Sequence, residues 1–475
     1  MNAILTMSTF IFPLISYPYV ARILGKVGVG KVAFAASVIT YFTMFAQLGI
    51  PTYGIRACAK VRDDREELSR TAHELLFINI VMTVASYILL AVGIILVPKL
   101  QEEKTLLVIT SITIILSAIG MEWLYQALEQ YVFITVRSVI FKAIAIVALF
   151  LLVKEQNDYV IYGAITIFAS SASYIMNFIH AHKFISMRPV GGYNPKRHLK
   201  FVMIFFAMAC ATTIYTNLDV VMLGFMKTDG DVGYYNSAVR IKMVLVSIVT
   251  SLGAVLLPRA SYYIEHGMKD EFKKITGKAL NFVFLLASPL ALYFILFARE
   301  GVLLFAGGDF EGSILPMQII MPTLLLIGIT NVLGIQILVP LGREKVVLQS
   351  EIAGAVTDII LNAIFIPHFA ASGAAFGTLI AEIVVMIVQI VALRHDIGEA
   401  FKKISYIRII LGMAIGFAAC FWVKFMGFGN FISLLISAVI FFLVYLAFMY
   451  ITKESLTREI IGQVIDKVKS KLKKA

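Results

Sequence analysis

Residues 431–451 read FISLLISAVIFFLVYLAFMYI, twenty-one consecutive residues without a charge. As a helix rising 1.5 Å per residue, this stretch is long enough to cross a hydrocarbon core of about 30 Å. Comparable runs recur along the whole chain, at about 3–22, 33–55, 73–97, 105–127, 132–153, 159–181, 201–225, 233–257, 279–298, 314–339, 350–367, 373–394 and 407–425. Together they predict an all-α polytopic membrane protein with about fourteen transmembrane helices. Of the 475 residues 60% are hydrophobic and only 15% charged, a balance too apolar for a fold with a polar exterior. The opening MNAILTMSTFIFPLISYPYVARILG has neither a basic n-region nor a small-residue cleavage site, and is expected to be retained as the first helix.

Loop charges orient these helices, because Lys and Arg collect on the cytoplasmic side. Segments 56–72, 182–200, 258–278, 342–346, 394–408 and 452–475 hold most of them, and the alternate loops hold few. Both termini are therefore expected to be cytoplasmic. The net charge of +12 is dispersed among membrane segments, so it speaks for orientation in a membrane and not for nucleic acid. After the last span, Ile460, Ile461, Val464, Ile465, Val468 and Leu472 recur at helical spacing among lysines, predicting either a basic amphipathic helix on the inner leaflet or a solvated tail. Cys58, Cys210 and Cys420 are too scattered for a disulfide framework or a metal site.

An internal repeat runs through the chain. Leu24-Gly25, Gly30, Pro51 and the run from Arg65 to Arg70 are echoed, about 200 residues later, by Leu223-Gly224, Gly233, Pro258 and the run from Lys269 to Lys274. An even number of helices per copy makes the repeat parallel, with its axis along the membrane normal. The expected organisation is an N-lobe of helices 1–6 (1–182), a cytoplasmic linker (183–200), a C-lobe of helices 7–12 (201–396), two C-terminal helices (397–452) and the basic tail (453–475).

A charged side chain inside a bilayer costs about 2.5 kcal/mol or more, so it should face a cavity or a partner. The candidates are Arg22, Glu122, Lys142, Asp219, Arg240, Lys242, Asp358 and Glu382. Arg240 shares a helix face with Asn236, Ser237, Ser247 and Ser251, a polar stripe expected to face a cavity, whereas Lys242 points elsewhere and is expected to snorkel. Arg22, Arg56 and Lys142 form a possible cationic ladder for a diphosphate. Alternatively, Arg22 and Arg56 are interfacial anchors and Lys142 pairs with Glu122. Asp358 and Asn362 stand at i and i+4, with Asp219 and Glu382 as further acids; they either bind a coupling ion, Na⁺ or H⁺, or hydrogen-bond helices together. Pro13 and Pro18 make the first helix a candidate gate. No Gly-rich phosphate loop, no metal ligand set and no other catalytic constellation is legible.

PLISYPYVARILG (13–25), GKVAFAASVITYF (30–42) and QLGIPTYGIRACAK (47–60) resemble the opening of the Wzx-type polysaccharide-unit flippases, a branch of the multidrug/oligosaccharidyl-lipid/polysaccharide exporter superfamily. The resemblance continues in MEWLYQALEQYVFIT (121–135), NLDVVMLGFMKTDGDVGYYNSAVRI (217–241), LLPRASYY (256–263) and NAIFIPHFAASGAAFGTLIAE (362–382), with Ala127 standing where a glycine is expected. It implies two six-helix lobes with two peripheral helices in a bacterial cytoplasmic membrane. It also implies inner-to-outer transport of an undecaprenyl-diphosphate-linked oligosaccharide by alternating access, alongside a polymerase and glycosyltransferases of the same pathway, without enzymatic activity. A cationic cavity is implied too, onto which Arg22, Arg56 and Arg240 map, with Asp219 in the matching phrase of helix 7. A drug or organic-cation exporter of the superfamily would want an acidic or aromatic cavity instead. A membrane glycan polymerase would want large outer loops, and a lipid II flippase differs only in the saccharide.

Overall fold

The computed structural model describes residues 2–251, 253–402, 404–459 and 462, with side chains from Phe12 onward except at 252–258, 395, 396, 398 and 399. The expected amphipathic tail beyond Glu459 therefore lies outside the described residues, Gly462 apart. Among the described residues every regular element is helical. Ten helices among the described residues are long and apolar enough to cross a membrane, or eleven if Gly308–Ile320 and Thr323–Leu338, which meet at 47°, form one span.

The difference from the expected fourteen has physical causes. Phe12–Ala59 and Glu344–Arg394 run for 48 and 51 residues. At 1.5 Å per residue each is more than twice the roughly 30 Å of a hydrocarbon core. Each contains one break in helical backbone, at Gly25 (φ 63°) and at Ala370 (φ 47°), where the sequence predicts a turn between two crossings. The helix Asp229–Thr250 carries Asn236, Ser237, Arg240 and Lys242 and is less apolar than the rest. Pro13 and Pro18 both remain inside α1 (Asn2–Gln47), whose break falls at Gly25 instead.

By contacts the chain divides into residues 1–236 and 237–475. In the first group α1 is central, packing against α3 (Arg65–Leu96), α4 (Lys104–Ile119), α5 (Tyr131–Leu152), α6 (Tyr159–Ile167) and α8 (Lys196–Met226). The helix α8 also packs against α2 (Ile50–Ala59). The core joins Ile50, Cys58, Leu75, Ile78, Trp123 and Leu124, all buried. Where α1 meets the start of α9 (Asp229–Thr250), only hydrogen fits: a Cβ on Gly30 would stand 1.7 Å from the Asp229 carbonyl oxygen, and one on Gly233 would stand 2.1 Å from that of Lys26.

The segment 183–200 is strapped to the first turns of α3. Glu74, whose side chain is fully buried, accepts from the Asn194 amide at 2.6 Å, Arg197 Nε at 2.8 Å and His198 Nε2 at 2.7 Å. Arg197 also reaches Glu67 at 2.9 Å, and His198 Nδ1 meets the Tyr53 hydroxyl at 2.8 Å. A carboxylate sealed from water needs this many donors, since leaving it unpaired costs several kcal/mol.

In the second group α10 (Lys269–Leu296) packs against α11 (Glu344–Lys402) and α12 (Tyr406–Cys420), and α12 lies along α13 (Asn430–Ile451). Tyr293, Phe297, Cys420 and Phe441 form a buried aromatic cluster there. The opposite faces of these helices present Ile407, Leu435, Leu443 and Ile451 outward, as a lipid solvent allows.

Candidate substrate cavity

The helix α5 lays Ile134, Ser138 and Lys142 along one face at intervals of four, and Arg137 sits beside them at i+3. These four side chains, with Glu122, Ser173 and Tyr174, line a cavity of about 350 Å³ in the first group of residues. Arg137 is its most buried charge, only 4% exposed. Its Nη1 donates to Ser173 Oγ at 2.7 Å, Nη2 lies 3.4 Å from Glu122 Oε2, and the Tyr174 ring stands 5.4 Å away. The Nε of Arg137 has no hydrogen-bond partner among the described residues. Burying a guanidinium is offset only when its donors are matched, and this sealed Nε is not, so the cation is costly to keep here.

A second cavity, about 540 Å³, adjoins the first through Thr166 and Ser170, which line both. Its wall is rich in hydroxyls: Thr40, Thr43, Thr52, Thr110, Thr113 and Thr213 join Gln47 around it. Several of these hydroxyls spend their proton on their own helix. Thr40 donates to Ala36 O at 2.8 Å, Thr43 to Ile39 O at 2.9 Å, Thr110 to Leu106 O at 2.8 Å and Thr166 to Gly163 O at 2.7 Å. What faces the cavity is then their lone pairs, so it is suited to a ligand bristling with O–H donors. Between Thr166 and Ser173 the backbone widens into a π-helical turn over Phe168–Ala172, which carries Ser170 into both cavities.

The residues singled out from the sequence are placed as follows. Lys142 lines the cationic cavity with Glu122, whose ion-pair partner is Arg137. Arg22 is exposed and its Nη1 donates to the Pro18 carbonyl at 2.6 Å; Arg56 is exposed on α2. Neither lines these two cavities. Asn236 and Arg240 are half-buried on α9, in the first and second groups of residues respectively. Asp219, buried on α8, accepts a short hydrogen bond from the Tyr235 hydroxyl.

Asp358, Asn362 and Glu382 are all buried on α11, in the second group. Beyond the break at Ala370 the helix returns past them, and a Cβ on Gly377 would stand 2.4 Å from Asn362 Oδ1 and 3.1 Å from Asp358 Oδ1. The glycine therefore leaves the space in front of two buried oxygens.

Arg137 escapes the sequence inventory although it stands inside a predicted span. Its spacing from Ile134 and Lys142 was the available signal.

The sequence profile of the family described as "Polysaccharide biosynthesis protein" matches residues 1–264. A protein of Escherichia coli K12 described as "Putative O-antigen transporter" is 24% identical over 400 residues, covering 83% of this chain and 95% of its own. Among solved structures, that of the lipid II flippase MurJ in an inward closed conformation superposes with a TM-score of 0.77, at 20% identity, over 96% of this chain and 99% of its own. An inward-facing multidrug resistance MATE family transporter of the MOP superfamily gives 0.62, at 15% identity, over 83% and 96%. The fold is theirs, and the chain is a multi-pass membrane protein that belongs to the polysaccharide biosynthesis protein family.

Proposed function

We propose that the chain carries an undecaprenyl-diphosphate-linked oligosaccharide unit from the inner to the outer leaflet of a bacterial cytoplasmic membrane. It does so by alternating access, with both termini cytoplasmic, and supplies a polymerase in capsule or O-antigen assembly. The observation that supports this reading most is the joining of a cationic cavity at Arg137 and Lys142 to a larger hydroxyl-lined one. A sugar diphosphate has that same polarity, an anion at one end and O–H donors at the other. A bidentate guanidinium recognises the phosphate, and the ammonium of Lys142 adds a compact charge.

The acids fit the driving step. Asp358 and Asn362, buried beside the space that Gly377 leaves, offer hard oxygen ligands for Na⁺ or a carboxylate for H⁺, and Glu382 is a further buried carboxylate on the same helix. No bond of the cargo is made or broken in such a cycle, so the activity is transport and not catalysis. A cationic drug would meet Arg137 and Lys142 first, which disfavours the exporter alternative.

Proteoliposomes holding the purified chain and a fluorescent lipid-linked oligosaccharide test the proposal. Protein-dependent loss of the inner-leaflet signal, stimulated by a Na⁺ or H⁺ gradient, is expected. Flux no greater than in empty liposomes would overturn it.

A further inference from the structure

Arg137 belongs to two openings at once. Besides the cationic cavity, it forms the floor of a groove of about 550 Å³ on the other side of α5, lined by Val132, Val136, Ile140, Phe141 and Met176. This wall is apolar and faces outward: Val132 and Ile140 are 61% and 50% exposed. At one end of the groove His180 stacks on Phe133 with ring centroids 4.2 Å apart. A buried cation whose side chain lines both an apolar outer groove and a polar inner cavity is an expensive arrangement. Hydrophobic packing alone would put Leu or Met there.

We propose that this groove seats the polyprenyl chain of the cargo, with the first phosphate on Arg137. The proposal rests on the polyprenyl-diphosphate reading above and adds the route by which the lipid enters. Three compartments follow one another: the apolar groove, then Arg137 with Lys142, then the hydroxyl cavity beyond Thr166 and Ser170. A polyprenyl diphosphate sugar has the same linear order of apolar, anionic and hydroxylated parts. The tail stays in the bilayer while the head passes inward, so α5 and α7 (Ser173–His180) are the posts of a lateral doorway. Depth agrees: Arg137 lies six residues into α5, roughly 9 Å from its end. That end adjoins the loop that carries Glu129, exposed and paired with Arg62 at 3.4 Å. An ordinary phospholipid has an anion and two acyl chains but no hydroxylated moiety long enough to cross both inner cavities.

Photo-crosslinking tests the doorway. Benzoylphenylalanine replaces Val136 or Ile140, and separately Val147, which is 58% exposed on the same helix but outside the groove. The probe is radiolabelled undecaprenyl diphosphate without sugar, in phosphatidylethanolamine vesicles. Capture at 136 and 140 at least tenfold above 147, unaffected by a hundredfold excess of phosphatidylglycerol, is expected. Equal capture at all three positions, or full competition by phosphatidylglycerol, would overturn the proposal.

Because Arg137→Gln risks misfolding, Val136→Trp fills the groove from its lipid side. Oligosaccharide-lipid flux should fall at least fivefold with unchanged Tm, and Ile144→Trp should leave flux intact. If the native chain flips its cargo yet Val136→Trp does so at full rate, the doorway is wrong and the transport reading stands. If the native chain flips nothing yet 136 and 140 capture the probe, the doorway stands and the transport reading falls.

Discussion

The Nη1 of Arg137 donates to Ser173 Oγ at 2.7 Å, tying a cation on α5 to the residue that follows the π-helical turn. With Glu122 at 3.4 Å on the opposite side, the guanidinium is held but not saturated. Glu122→Gln removes the counter-charge while keeping the shape. A fully buried pair loses about 3–5 kcal/mol when one partner goes; Glu122 is 30% exposed, so a loss below that range is expected. Thermal unfolding in detergent should show a lower Tm for Glu122→Gln, and added diphosphate should restore more of it than in the native chain. A Tm equal to the native one would mean that the pair carries nothing.

How far the sequence reached can be judged from particular residues. The membrane class was legible because length and absence of charge suffice, as in 431–451, now the helix α13. The two internal boundaries near Gly25 and Ala370 were legible from the breaks in the apolar runs, and there the backbone leaves helical geometry at one residue, Gly25 and Ala370. Lys142 was found through its charge, and Arg137 was passed over although it stands on the same helix and lines the same cavity. The hydroxyl cavity was not legible at all. A threonine on an apolar helix satisfies its own backbone, so Thr40, Thr110 and Thr213 look alike whether they face lipid or a ligand, and only the fold gathers them.

Gly377→Ala probes the acids of α11. An added methyl 2.4 Å from Asn362 Oδ1 requires the amide to move, whereas the surrounding helix tolerates alanine well. If Asp358 and Asn362 hold the coupling ion, transport in proteoliposomes should fall about tenfold and lose its dependence on the Na⁺ or H⁺ gradient. Retention of the native ion dependence would remove this pair from the coupling step.

Arg240→Ala addresses the polar stripe of α9. Arg240 is half-buried, on the face that carries Ser237 and Ser247, so insertion does not depend on it. Surface glycan, measured by gel and blot in a strain lacking its own copy, should disappear while the membrane level of the protein stays normal. A normal amount of glycan would show that Arg240 plays no part in handling the cargo.

Glu454 gives a pH prediction outside the membrane spans. Burial alone would raise its carboxyl, but hydrogen bonds outweigh this and hold it below its ordinary value of 4.5: Thr457 donates through both hydroxyl and amide, Asn281 through its side chain at 2.8 Å, and Leu456 through its amide. A carboxylate depressed in the folded state adds stability that is complete above the unfolded value and is lost as pH falls through the folded one. The Tm difference between the native chain and Glu454→Gln should therefore be constant from pH 8 down to about 5 and shrink below 4.5. Because Asn281 belongs to α10 and Glu454 follows α13, the lost bond loosens the attachment of one to the other, and cleavage by protease near 454 should rise in the same acid range. A Tm difference that grows on acidification would reverse the sign of this linkage and refute the proposed role of the four donors.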